Sequence, residues 1–157
     1  MNLKDLSKPF NPASISWRVG ATKKDKTQGI ALAYIDARDV MERFDKVCGA
    51  ENWQASYPWS DGKKLCCAIS VFVEGKGWVS KSNGAGDTDV EGEKGAFSDA
   101  FKRAAVLWGV GQYLYSLPNT WVDLEPAGNS YKITKQAQLD LTQRLHNWQT
   151  KNYGECI

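Results

Sequence analysis

A chain of 157 residues, 42% of them hydrophobic, is long enough to bury a sizeable core as one domain. Its net charge of +2 is only mildly basic, so a nucleic-acid site has to come from local clustering of cations. The four cysteines form no Cys-x-x-Cys pair and His146 is the single histidine, which argues against a structural zinc site.

In chain order, Met1 to Pro12 reads as a short helix or an arm. Ile15–Val19 and Ile30–Ile35 are predicted strands, joined by a polar loop that contains Lys23-Lys24-Asp25-Lys26. Val40, Met41, Phe44, Val47 and Cys48 recur at helical spacing, with Asp36 at the N-cap position and Gly49 as the stop. Trp53, Ala55, Tyr57 and Trp59 alternate with polar residues as in a half-buried strand, and Ser60-Asp-Gly-Lys63 reads as a hairpin turn. Leu65–Val73 is a strongly apolar strand. Glu74-Gly-Lys-Gly77 turns it into a further strand from Trp78 to Ser82.

Thr88-Asp-Val-Glu91 has the form of a capping box. Behind it Phe97, Ala100, Phe101, Ala104, Ala105 and Trp108 line one wide apolar helix face, and Gly109 and Gly111 close the element. Lys94, Ser98, Asp99, Lys102 and Arg103 fall mostly off that face. Pro126-Ala-Gly-Asn-Ser130 reads as a linker, and Ile133 to about Lys151 as a C-terminal helix with Ala137, Leu141, Leu145 and Trp148 on one side. The predicted class is α+β, with an antiparallel β-meander packed on the helix of Phe97–Trp108.

Several chemistries are weak fits. Asp87-Thr-Asp-Val-Glu-Gly92 imitates the start of a calcium loop, but Ser98 stands where the bidentate glutamate belongs. Asp61-Gly-Lys63 and Glu74-Gly-Lys76 imitate the acid-x-Lys end of a metal-dependent nuclease site, yet their glycines make both segments tight turns. No Gly-x-x-x-x-Gly-Lys-Ser/Thr phosphate loop is present, so ATP hydrolysis is not expected; nor is a cofactor or a catalytic residue. Adjacent Cys66 and Cys67 read as small core residues of a reduced protein. With no signal peptide or membrane-length apolar run, the expected location is the cytoplasm. Of the aromatic residues, Phe97, Phe101 and Trp108 are expected in the core. Trp59, Trp78 and Trp121 stay open between core, base stacking and a subunit interface.

Asp99-Ala-Phe-Lys102-Arg103-Ala, followed by an aromatic and Gly109, resembles the signature helix of the Rad fifty-two family of single-strand annealing proteins. Two further blocks resemble the family in the same order: Ile15-Ser-Trp-Arg18, and Tyr34-Ile-Asp-Ala-Arg-Asp-Val-Met-Glu-Arg-Phe-Asp followed by Gly49 and Asn52-Trp53. The small size is closer to the annealing proteins of bacteriophages, which would place the protein in the host cytoplasm. The resemblance implies a non-enzymatic protein that binds single-stranded DNA without ATP and anneals complementary strands in recombination and repair. It also implies a ring-forming homo-oligomer whose partners are single strands and the annealed duplex. Residues 1–125 would form the DNA-binding domain, and 126–157 a linker with a C-terminal helix packed on it or on a neighbouring subunit.

Lys102 and Arg103 match adjacent DNA-contacting cations of the signature helix, Lys94 a cation near its start, and Arg18 an arginine of the first strand. Lys63 matches a lysine of the family's outer DNA site. Lys64 and Lys81 are added on charge and position. The family has another arginine one turn after the Lys-Arg pair, where this chain has Val106 nearby. The alternatives are a metal-dependent nuclease and a single-strand DNA-binding module that coats DNA without annealing it.

Overall fold

Three stretches rich in β-branched and aromatic residues fold as an antiparallel meander. In the computed structural model, which describes residues 1–61, 64–85 and 92–154, these are β3 (Trp53–Asp61), β4 (Lys64–Val73) and β5 (Gly77–Ala85) in the order β3-β4-β5. Side chains are described for 1–58, 65–84 and 95–154. Register runs from Trp53↔Val71 to Asp61↔Lys64 on one side of β4, and from Leu65↔Ala85 to Val73↔Gly77 on the other. The predicted turn at Gly62-Lys63 lies outside the described residues, as does the predicted capping box at 88–91.

The meander belongs to one of two compact units, made of Met1–Lys8 and Ala37–Gln112. The same unit contains α1 (Ala37–Cys48) and α2 (Gly92–Leu107). α1 starts directly after Asp36 and ends at Gly49, whose φ of 89° lets its N–H reach Asp45 O at 2.9 Å. The inward side chains of β4, Leu65, Cys67, Ile69 and Val71, are buried, as are Val40 and Phe44 of α1 and Ala100, Phe101, Ala104 and Ala105 of α2. Arg43 of α1 donates to the carbonyls of Leu6 and Lys8, at 3.3 and 2.6 Å, and so ties the N-terminal 3-10 turn Leu3–Ser7 to the helix.

The second unit, Pro9–Asp36 with Tyr113–Ile157, brings together distant stretches of chain. β1 (Ile15–Thr22), β2 (Gln28–Ile35), β6 (Thr120–Ala127) and β7 (Ser130–Ile133) make a four-stranded antiparallel sheet in the order β1-β2-β6-β7. Ala31, Val122 and Ile133 pack with Ala137 and Leu141 of α3 (Lys135–Tyr153), and Trp17, Val19 and Leu124 border that core. The Thr134 hydroxyl caps α3 by accepting from Ala137 N–H at 3.2 Å. Buried Gln149 donates to Phe10 O at 2.9 Å, while Phe10 N–H donates to the Tyr113 hydroxyl at 3.1 Å.

Two expectations change. Residues 126–130 close the β6–β7 hairpin, with Ala127 paired to Ser130 and Gly128 at φ 60°, where the sequence predicts a linker. Phe97 is 37% exposed, because it packs edge-on against Tyr57 at 4.8 Å instead of entering the core. Phe101 is buried as expected, and Trp108 is half-buried, its indole N–H donating to Ile69 O at 3.0 Å.

The end of α2 is set by backbone chemistry. Val110 N–H reaches Ala105 O at 3.1 Å and Gly109 N–H reaches Val106 O at 2.9 Å, the paired bonds of a Schellman cap with Gly109 at φ 97°. A Cβ on Gly109 would lie 3.1 Å from Cβ of Ser7. Gly109→Ala is therefore expected to cost about 1–2 kcal/mol from the left-handed backbone alone, read as a lower urea midpoint at unchanged slope.

Candidate nucleic-acid interface

The cations of α2 stand beside its buried face, as the helical spacing requires. Ala100, Phe101, Ala104 and Ala105 point inward, which turns Arg103 to solvent and leaves Lys102 partly covered. Arg103 Nε donates to Asp99 Oδ2 at 3.0 Å, an i,i+4 pair with side chains 48% and 32% exposed. A pair this open contributes a few tenths of a kcal/mol at most to the fold. It holds the guanidinium at the helix surface, where a phosphate can compete with the carboxylate.

Lys81 has a different setting from a free surface cation. It lies opposite Ile69 in the β4–β5 ladder, and its ammonium donates to Leu107 O at 3.2 Å while sitting 4.7 Å from the Trp108 ring centroid. A cation at a helix C-terminus and over an indole is favourable on both counts. Lys81→Met is expected to cost about 1 kcal/mol of stability through those two interactions, measured by chemical unfolding. An unchanged midpoint would show that neither persists in solution.

Arg18 is exposed on β1 opposite Leu32, on the sheet face turned away from the Ala31–Val122 core. The side chains of Lys64 and Lys94 and the whole of Lys63 lie outside the described residues. Lys102, Arg103 and Lys81 thus belong to the first unit, and Arg18 to the second. Of the undecided tryptophans, Trp78 is 50% exposed and meets Phe72 edge-on at 5.7 Å, and Trp121 is 47% exposed; the side chain of Trp59 is not described. The anchoring of Lys81 leaves no trace in the local pattern, because its partners lie 26 and 27 positions along the chain.

Among the described residues no group of three or more His, Cys, Asp or Glu side chains is placed to hold a metal ion, and the Asp87–Glu91 stretch falls outside them. Glu74-Gly-Lys76 is a turn, with Gly75 and Gly77 at φ 85° and 83°. No described helix is long and apolar enough to cross a membrane.

Of the described thiols, Cys48 and Cys67 are buried and Cys66 is half-buried, all three in the first unit. Desolvation pushes Cys67 up to about 11 from an ordinary 9.0, and the neighbouring Tyr57 phenol up to about 12 from 10.0; burial also raises Cys48. Cys67 and Tyr57 therefore favour their neutral forms in the folded state. Their contribution is fully present below pH 9 and is lost as pH rises through the folded values, about 11 and 12. The expected result is alkaline destabilisation across that window. Correspondingly, at mildly basic pH an aromatic disulfide reagent should label half-buried Cys66 before Cys48 or Cys67.

With the fold and the cations in place, comparison with known proteins decides the family. The model of the Rad52/22 family double-strand break repair protein matches residues 2–65 and 69–132. The chain belongs to this family. The match takes in β1, β2, α1, the meander and α2, so the blocks around Arg18 and around Lys102-Arg103 both fall within it. The chain is also similar to two proteins named single-stranded DNA-binding protein DdrA. That of Deinococcus deserti is 35% identical over 129 residues, covering 78% of this chain and 62% of the relative. That of Deinococcus radiodurans is 34% identical over 139 residues, covering 81% and 62%. This family member thus spans about three-fifths of the length of the curated relatives it matches.

Proposed function

We propose that the protein binds single-stranded DNA and anneals complementary strands in recombination and repair, without ATP and as a ring-shaped homo-oligomer. The observation that carries the reading is the family match over both cation-bearing blocks, together with relatives that bear the name of single-stranded DNA-binding proteins. Annealing by such a protein is electrostatic: cations hold phosphates and screen the repulsion between strands, while base edges stay free to pair. In this reading Arg18, Lys94, Lys102 and Arg103 hold the first strand. Lys63 and Lys64, which follow β3 along the chain, meet the second, and Lys81 adds charge beside the α2 terminus.

The test mixes two complementary oligonucleotides, one with a fluorophore and one with a quencher, with and without protein, ATP and magnesium. Faster pairing that needs no ATP is expected, from a species far above monomer mass in light scattering. Binding that slows pairing would replace annealing by strand coating, and magnesium-dependent shortening of the oligonucleotides would replace it by nuclease action.

A further inference from the structure

The β1–β2 hairpin concentrates charge in a chain that has little to spare. Lys23, Lys24 and Lys26 against Asp25 leave this four-residue tip at +2 (three cations less one anion), equal to the net charge of the whole chain. The tip is held in shape. Asp25 accepts from the Thr27 N–H at 3.0 Å and hydroxyl at 2.7 Å, Lys26 takes φ 61°, and its ammonium donates to Thr22 Oγ1 at 2.9 Å.

Beside this tip stands an indole. Ile30 of β2 pairs with Trp121 of β6, while the neighbouring Gly29 pairs with buried Val122, so alternation turns Trp121 to the outer face of the sheet. The ring is 47% exposed. Lys23 Nζ donates to Gln28 Oε1 at 2.6 Å and lies 5.7 Å from the Trp121 centroid, near the outer limit of a cation–π interaction. At that distance the cation stays close to a ring that remains about half exposed. Arg18 occupies the same sheet face, because Arg18↔Leu32 and Ile30↔Trp121 share one parity along β2. Two inter-strand steps, about 10 Å, separate β1 from β6.

An exposed aromatic ring flanked by fixed cations matches what a single strand of DNA offers: a π-face and a phosphate one bond path away. We propose that Trp121 and the Lys23-Lys24-Lys26 tip form a further single-strand DNA subsite, in which a base stacks on the Trp121 ring and the lysines hold its flanking phosphates. The subsite extends the strand path beyond Arg18 and rests on the single-strand-binding reading above. Its charge fits a polyanion, and stacking on an exposed indole asks for unpaired bases, so duplex DNA should be a poor ligand for it.

The test is anisotropy of a fluorescein-labelled oligo(dT) over a salt series, on the full chain. Trp121→Ala is expected to weaken binding about tenfold with the salt slope unchanged, and Trp121→Phe to restore most of the affinity. The triple variant Lys23→Gln, Lys24→Gln, Lys26→Gln is expected to flatten the slope by about 2, near 0.7 for each phosphate no longer held. Photocrosslinking with iododeoxyuridine-substituted oligonucleotide should join the strand to the peptide that contains Trp121. If wild type binds and the Trp121→Ala and triple-lysine proteins keep its affinity and slope, this subsite is overturned while single-strand binding stands. If wild type fails to bind at low salt, both fall. If Trp121→Ala changes the assembled mass but not the affinity per protomer, the face is a seat between copies and the inference fails. Thermal unfolding of each variant controls for the fold; should Trp121→Ala melt early, the Trp121→Phe protein, the lysine variant and the crosslink still decide.

Discussion

Replacing Phe44 with alanine is expected to remove about 3–5 kcal/mol of stability, an effect on the scale of the whole stability of a domain this size. Phe44 is fully buried at the inner face of α1 and stacks on Trp53 at 5.1 Å, with ring planes 25° apart; Trp53 lies 6.1 Å from Phe101 of α2. These three rings join α1, β3 and α2. Collapse into the vacated space is opposed from one side, because the Trp53 indole N–H is fixed to Asp45 Oδ1 at 2.7 Å. Urea unfolding followed by far-UV circular dichroism measures the loss. A cost below about 1 kcal/mol would mean that the rings relax into the gap. Met41, 41% exposed on the same helix, provides the control, since its truncation should stay near half a kcal/mol, roughly the range of surface substitutions.

The second large effect concerns the α2 cations. Lys102→Ala with Arg103→Ala is expected to lower the dependence of single-strand binding on salt by about 1.4 log units per log unit, or 0.7 for each of two phosphates released. The fold should survive, since alanine is the best helix former and the Asp99–Arg103 pair is largely solvated. The same pair supplies an opposite-signed test. Asp99→Asn removes a carboxylate that both occupies Arg103 and repels phosphate, so affinity should rise severalfold. Filter binding across a salt series reads both variants. An unchanged slope in the double variant removes Lys102 and Arg103 from the DNA path.

The parts of the fold that can be read from the sequence are those whose partners lie nearby in it. The α2 face follows from the spacing of Ala100, Phe101, Ala104 and Ala105, and the meander from short alternating runs between glycine turns. β6 escapes a reading of the sequence although Val122 and Leu124 alternate with Trp121 and Asp123, because Pro126 and Gly128 look like the end of order. The structure accommodates that proline where β6 has passed the end of its pairing with β2 at Asp123 and faces Tyr131 of β7 alone. The adjacency of Lys102 and Arg103 is legible. The engagement of Lys81 with Leu107 and Trp108, and of Lys23 with Trp121, is not, since each depends on tertiary neighbours that no local period encodes.

The pairing of β2 with β6 sets an order in time. The meander is closed by joining neighbours in sequence, which is fast and entropically inexpensive. The second sheet waits until Gly29 and Val122 meet across more than half the chain. During synthesis β1 and β2 therefore emerge as a lone hairpin with both outer edges unpaired, long before β6 leaves the ribosome. A two-stranded hairpin is marginal in water, and an open edge invites pairing with another chain. The lysines at its tip act here as a gatekeeper, holding like hairpins apart by charge until the late strand arrives.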